Sequence, residues 1–433
     1  MESVWRESVS PKSFEPLNEN IKTDVLIVGG GIAGIICANR LTDLGVNCAV
    51  VEADRICRKV TSDTTAKITV QHGLIYDKLI KKYGVEFAKL YYEAQKEGFE
   101  YLSFLCKEIE CDYEVQDSFV YSIDNRRKIE YEAEAYNKLK IESFFCERVD
   151  LPIDTVGAVC IKNQGQFNPL KLCLSLASKI KIYEHTKVLQ FFDGGVITNR
   201  GKILAEKIIV ATHFPIINKH GGYFLKMYQH RSYVLALKNA TIPKGMYVDE
   251  SLKGLSFRSY KDMLLLGGGS HRTGKKGGNW KELREFAKEN YPEHKEQTYW
   301  ATQDCMTLDS VAYIGLYSKN TPNLYVATGF NKWGMTASAL SAIILSDLIL
   351  GKENDYAKVF SPQRTMLHPQ LFVNLFESTV NLITPTAPRC PHLGCALKYN
   401  ADEHSWDCSC HGSRFDESGK LLNNPATNDK KFY

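Results

Sequence analysis

The sequence predicts an α/β protein that opens on a buried strand–turn–helix–strand unit and closes on a short ligand-bearing module. Three observations predict it. First, the apolar run Thr23-Asp-Val25-Leu26-Ile27-Val28 breaks at Gly29-Gly-Gly31-Ile-Ala-Gly34 and resumes as a helical run from Ile35 to Leu44. That change of period is expected where a buried parallel strand feeds a helix. Second, a further apolar strand, Cys48-Ala-Val50-Val51, ends on an acid, Glu52. Third, cysteines and histidines concentrate in two loops near the C-terminus, Cys390-Pro-His392-Leu-Gly-Cys395 and Cys408-Ser-Cys410-His411-Gly-Ser413.

A lone glycine triplet is weak evidence, but strand, G-x-G-x-x-G, helix, strand and terminal acid together form a Rossmann-like dinucleotide fingerprint. Gly29 permits the tight turn, Gly31 lets backbone approach a pyrophosphate, and Gly34 lets helix meet strand. The helix N-terminus stabilises the anion, and Glu52 accepts hydrogen bonds from ribose hydroxyls. A reductase using both flavin and pyridine nucleotide would need a second fingerprint. Gly267-Gly268-Gly269 follows a strand-like run but opens no helix, and it reads as a turn. Two other stretches favour FAD. Lys207-Ile-Ile-Val-Ala211-Thr212-His213 reads as a buried strand ending beside the cofactor. The stretch Asn323 to Thr336, with Gly329, Trp333, Gly334, Met335 and Thr336, leads into a helix over 337–350 and aims its N-terminus at an electron-rich ring edge.

Read as ligands, the C-terminal loops are Cys-x-His, fifteen intervening residues, then Cys-x-x-His, with one cysteine trailing each half. Two thiolates and two imidazoles suit an iron–sulfur cluster whose irons have different partners. Zinc is the alternative, but its usual C-x(2–4)-C…H-x(3–5)-H spacing does not fit halves that each mix one Cys with one His. Two plain disulfides would leave both histidines unexplained.

These two loops resemble the Rieske family. The resemblance implies Cys390 and Cys408 on one iron, His392 and His411 on the other, and a disulfide between Cys395 and Cys410. It also implies that Ser413 donates to a bridging sulfide. Phe415 stands where high-potential members carry a tyrosine, which implies a middling potential. The resemblance covers little beyond the loops, so the module lacks the core to stand alone and is expected to lean on the rest of the chain. Upstream, the apolar residues from Leu367 to Ile383 recur at helical spacing. That stripe is read as packing on its own protein, with contact to a membrane quinone pool as the alternative.

Residues 20–360 resemble the D-amino-acid oxidase-like FAD oxidoreductases, which include glycine and sarcosine oxidases, and the combination with a Rieske tail resembles a subgroup of bacterial fusion proteins. The resemblance implies an α/β Rossmann-like FAD-binding domain, discontinuous over 23–74, 156–214 and 311–360, after an N-terminal extension 1–22. It implies an α+β substrate domain over 75–155 and 215–310, whose antiparallel sheet covers the flavin. A helical linker, 361–385, then precedes a shortened, small all-β Rieske module, 386–433. Thr65, Ala66 and Lys67 would lie in the loop around the flavin ring, with Ala211 and Thr212 nearby. The first cover stretch, with Tyr91, Tyr92, Phe99, Leu102 and Phe104 at helical spacing, reads as a helical cover. Pocket candidates are Tyr228, His230, Arg231, Tyr233, Arg258 and His271. Amino-acid oxidases of this type clamp a carboxylate with an arginine shortly after Trp-Ala. Here Trp300-Ala301 leads to Asp304, and the oxygen-activating lysine that sarcosine oxidases place near Thr336 is absent. Both departures argue against a plain amino-acid oxidase, and the carboxylate in place of the arginine favours a cationic amine substrate. Arg258, His271, Asp304 and Tyr228 are the catalytic candidates.

Composition agrees. The chain has 433 residues, 44% of them hydrophobic, and a net charge of +4 without a basic block, so nucleic acid is not implied. The N-terminus has no apolar signal region, no run reaches transmembrane length, and the protein is expected to be cytoplasmic. Of thirteen cysteines, those outside the loops are scattered and read as buried thiols. The leading reading is an FAD dehydrogenase taking electrons from a small amine or related CH–NH or CH–OH donor. It would pass them singly through the cluster to a one-electron acceptor, a protein or a quinone. Reverse flow from an external donor, and a redox sensor without a metabolite, are the alternatives.

Overall fold

The computed structural model describes residues 2–10, 12–385 and 388–432; the expected linker–module boundary at 386 lies outside them. Strand β1 (Ile21–Val28) sits between parallel neighbours β2 (Cys48–Val51) and β3 (Lys202–Val210). The sheet extends through Leu324–Thr328 and Tyr313–Leu316 on one side and Lys181–Tyr183 on the other. Helix α1 (Ile32–Asp43) crosses from β1 toward β2 and is buried along most of its length. It packs beside helix α2 (Gly334–Ile349), whose apolar and small residues bury it nearly all round, as a helix enclosed on every side requires.

The second layer is built on a sheet that is nine-stranded among the described residues. Its central strands are β4 (Met227–Lys238), β5 (Met263–Arg272) and β6 (Lys295–Thr307), with β4 paired antiparallel to both β5 and β6. The expected turn at Gly267–Gly269 is instead the middle of β5. The glycines serve close packing there: a Cβ on Gly267 would lie 2.5 Å from Ser256 Oγ. Gly269, at φ +60°, would meet the Asn279 carbonyl at 2.2 Å. Residues 75–139 are mainly helical, and Val85–Glu108 packs on α2 so closely that a Cβ on Gly98 would fall 2.9 Å from the Thr336 carbonyl oxygen.

Helix α3 (Pro369–Ile383) follows, begun by Pro369 at a first-turn position where its missing N–H costs nothing. Its orientation corrects the expectation of self-packing. Asn374 and Asn381 are buried, at 3% and 1% exposure, while Phe372, Phe376 and Ile383 are 65%, 68% and 73% exposed. The last segment is a four-stranded antiparallel sheet over 397–423, with Cys390, Cys395, Leu397, Cys408, Cys410, Phe415 and Ala426 as its small core.

Candidate functional site

At the C-terminal end of β1 the chain makes a turn that only glycine permits. Gly29 has φ +113°, and a Cβ there would lie 2.5 Å from the carbonyl oxygen of Ala211, at the end of β3. A Cβ on Gly34 would lie 2.0 Å from the Gly29 carbonyl oxygen. Gly31 caps α1 without a side-chain hydrogen bond of its own; Ile32 N donates to Thr61 Oγ1 at 3.0 Å, and the remaining first-turn N–H groups are left for a ligand. Glu52 accepts from Gly30 N at 2.8 Å and Asp54 N at 3.0 Å, and burial raises its pKa. The cradle fits a dinucleotide phosphate.

The ring end of that cradle is equally fixed. Thr336 Oγ donates to the Thr69 carbonyl at 2.9 Å and accepts from Thr69 N, tying α2 to the 64–69 loop. Trp333 stacks on His72 with centroids 5.1 Å apart. Gly329 adopts φ +69° where a Cβ would meet Thr307 at 2.4 Å. A cavity of about 260 Å³ opens here, lined by Thr65, Lys67, Tyr228, Ser270, Asp304, Lys332, Trp333 and Met335 among others. Of the four catalytic candidates, Tyr228 and Asp304 line it. Burial raises Asp304 to about 6, and Lys332 opposes the shift. Burial lowers Lys67 to about 7, reinforced by Arg258.

Arg258 and His271 are engaged elsewhere. The Arg258 guanidinium donates to the Thr65 and Ala66 carbonyls and lies over the Trp5 ring, so it braces the ring loop. His271 bonds Tyr233 OH at 2.9 Å and the Arg272 carbonyl, on the opposite face of the sheet. His230, cross-strand from Asp304, has a buried Nδ1 without a partner, and burial lowers it to about 3.

The two C-terminal loops have one hydrogen-bond pattern. Gly394 N donates to Cys390 O at 2.9 Å, and Gly412 N to Cys408 O at 2.8 Å. Cys390 N donates to Cys395 O, and Cys408 N to Ser413 O, at 2.8 and 2.9 Å. This paired turn brings the His392 and His411 rings to 4.9 Å, nearly perpendicular. Both Nδ1 atoms are buried without a protein partner, as donors reserved for a metal would be. Hydrogen bonds from Cys390, Cys395 and Cys410 favour the Cys408 thiolate, the form that binds metal. Cys390, His392, Cys408 and His411 therefore fit a mixed thiolate–imidazole cluster and remain the proposed ligands. Cys395 and Cys410 are free thiols here, not the disulfide the resemblance implies; their sulfurs and that of Cys408 lie within 4.8 Å of one another. Ser413 Oγ accepts from Ala426 N at 2.9 Å.

Residues 24–348 match the family of FAD dependent oxidoreductases (DAO), and residues 360–433 match the Rieske [2Fe-2S] domain. The chain belongs to the DAO family of FAD dependent oxidoreductases. It also carries a C-terminal Rieske domain, so its cofactors are FAD and a Rieske [2Fe-2S] cluster. YhfW of Bacillus subtilis (strain 168), named for a Rieske 2Fe-2S iron-sulfur protein, is 35% identical over 98% of this chain and 96% of its own length. Gamma-glutamylputrescine oxidoreductase of Escherichia coli (strain K12) is 25% identical over 78% of this chain and 86% of that protein. The fold of L-proline dehydrogenase from P. horikoshii superimposes with a TM-score of 0.68 at 18% identity, covering 80% of this chain and 98% of that one.

In this DAO protein the Rieske domain docks on the back of the sheet that lines the 260 Å³ cavity. Alternate residues of β4 and β6 point opposite ways. Tyr228, Ser232, Thr302 and Asp304 line the pocket. Their neighbours hold the domain: Gln229 donates to the His411 and Asn424 carbonyls, and Gln303 to the Gly412 carbonyl. Arg231 and Arg414 flank Glu403, which Tyr233 also reaches. Arg272 donates to the Ser409 and Cys410 carbonyls. One short loop touches both cofactor regions. Its Ala211 carbonyl abuts Gly29, and its Phe214 ring lies 6.4 Å from each cluster imidazole. His411 is buried against this body, while His392 is half-exposed, its Nε2 2.8 Å from Asn218 Oδ1. None of these docking residues has a local motif; only the unusual richness of β4 in polar residues could have marked them.

Proposed function

We propose that this oxidoreductase is a dehydrogenase that oxidises a small amine and passes the electrons through its Rieske cluster to an external one-electron acceptor. The observation that carries the reading is the shared wall: the same two strands, β4 and β6, line the pocket with one set of residues and hold the cluster loops with the alternate set. Flavin supplies two-electron oxidation of the donor together with one-electron release.

The residues divide the remaining work. Gly29, Gly31 and Gly34 would admit the pyrophosphate, Glu52 the ribose, and Thr65, Ala66, Lys67, Ala211, Thr212, Gly329, Trp333, Gly334, Met335 and Thr336 the rest of the cofactor. Asp304 would serve as counter-ion to the substrate's ammonium. Lys67 and Lys332, which also line the cavity, would meet a carboxylate on such an amine. Tyr228 would orient the donor from the sheet side, and Arg258 would act indirectly by holding the 65–66 carbonyls. The cytoplasm, with its reduced thiols, is the compartment that fits nine further free cysteines.

Anaerobic addition of candidate amines and amino acids to the holoprotein tests this. Flavin bleaching followed by the electron paramagnetic resonance signal of a reduced Rieske cluster is the expected result. Bleached flavin beside a cluster that stays oxidised would refute the transfer. A flavin that no amine bleaches would refute the substrate class.

A further inference from the structure

Helix α3 is amphipathic in the inverse sense. Its polar strip faces the protein: Asn374 accepts from Arg272 at 3.0 Å and donates to the Leu225 carbonyl, and the Asn381 carbonyl accepts from Ala396 N and Arg389. Its apolar half faces solvent through Phe372, Val373, Leu375, Phe376, Val380, Leu382 and Ile383. The patch continues into the first cluster loop, where Leu393 is exposed beside His392 and Gly394 lies against Leu382. A contiguous apolar surface of this kind marks an interaction site.

Charge says what covers it. The single charged residue of α3, Glu377, is neutralised by Lys275 at 2.7 Å. The other charged side chains that touch the helix or its cap among the described residues are basic: Arg272 meets Asn374 on the protein-facing strip, while Lys82 at His368 and Arg389 at the C-terminal carbonyls stand at the two ends. Lys276, exposed, adjoins Lys275. An uncharged apolar centre within a basic rim complements an anionic lipid surface. A second copy would set this rim against its own image, which like charge disfavours. No helix among the described residues is long and apolar enough to cross a membrane, so α3 would lie along the surface.

We propose that α3 is an in-plane membrane helix that seats the half-exposed His392 edge of the cluster domain on a bilayer containing anionic lipids. The polar strip holds the helix to the protein while Phe372, Phe376 and Ile383 enter the acyl boundary. Lipid binding does not require turnover, so this docking and the amine reading fail separately.

The test is flotation of the full-length holoprotein with vesicles of phosphatidylcholine, with and without phosphatidylglycerol. Wild type is expected to float with the anionic vesicles and to release at high salt. The triple variant Phe372→Ser, Phe376→Ser, Ile383→Ser should lose about tenfold or more of that binding. Its flavin and cluster spectra should be unchanged, since these side chains support nothing inside. Three results would each overturn the proposal: no binding by wild type, equal binding by the variant, or a wild-type dimer that the variant converts to monomer.

Discussion

The side-chain amide of Gln303 donates to the Gly412 carbonyl at 2.8 Å, one residue before Asp304 turns the other way into the pocket. The cluster loop is thus held by the strand that lines the site. Gln303→Leu leaves the buried Gly412 carbonyl without this donor and deprives Gln229 of its partner. It should loosen the docked domain by about 1–3 kcal/mol. Hydrogen exchange should show faster exchange in 390–432, while flavin absorbance stays as in wild type.

Glu403 gives the docking a pH dependence. Burial alone would raise its pKa, but Arg231 and Arg414 hold it at about 2. A folded value below the unfolded one, about 4.3 for glutamate, stabilises above that value and is lost as pH falls toward 2. Domain docking, followed by Trp406 fluorescence or exchange, should therefore hold near neutrality and weaken progressively below about pH 4.5. Glu403→Gln leaves the buried Arg231 guanidinium without its carboxylate, while Arg414 keeps Asp407, and should cost about 3–5 kcal/mol at pH 7.

Asp304 runs in the opposite sense. Its value of about 6 means that burial disfavours the carboxylate, so its contribution to stability falls as pH rises from the unfolded value, about 3.9, through 6. The same ionisation should govern cation binding. KM for an amine substrate should fall as pH rises through 6, and Asp304→Asn should abolish that dependence and raise KM by about tenfold or more. The variant should also melt no lower than wild type at pH 7.5.

Gly34→Ala places a methyl 2.0 Å from the Gly29 carbonyl. The turn must open, and FAD retention should be lost in the purified protein, read as the ratio of visible to 280 nm absorbance. Gly45→Ala, at a positive-φ glycine with open space around its Cβ site, should keep its flavin.

What was legible in the sequence is what depends on local geometry. Gly29 and Gly34 declare themselves because a side chain at either would collide with backbone, and Gly31 by its place in the same turn. Cys390, His392, Cys408 and His411 declare themselves by a spacing that few sites share. The roles of Arg258 and His271 were not legible, because a buried cation bracing carbonyls and one lining a pocket look alike in a strand. Strands β4 and β6 are buried on both faces, so period-two alternation could not say which residues meet the pocket and which the Rieske domain. The outward turn of α3 was hidden for a related reason: spacing reveals that a stripe exists, not the side toward which it points.

The charge network at Glu403 has a consequence for biogenesis. Arg414 belongs to the Rieske domain, but Arg231 and Tyr233 belong to β4. The order of the chain places β4 far ahead of the cluster loops on the ribosome, so its docking face can be complete before Cys390 and Cys408 emerge. The seat of the ligand loops is therefore written partly in β4, and a substitution at Arg231 or Tyr233 alters the ground on which the cluster domain rests.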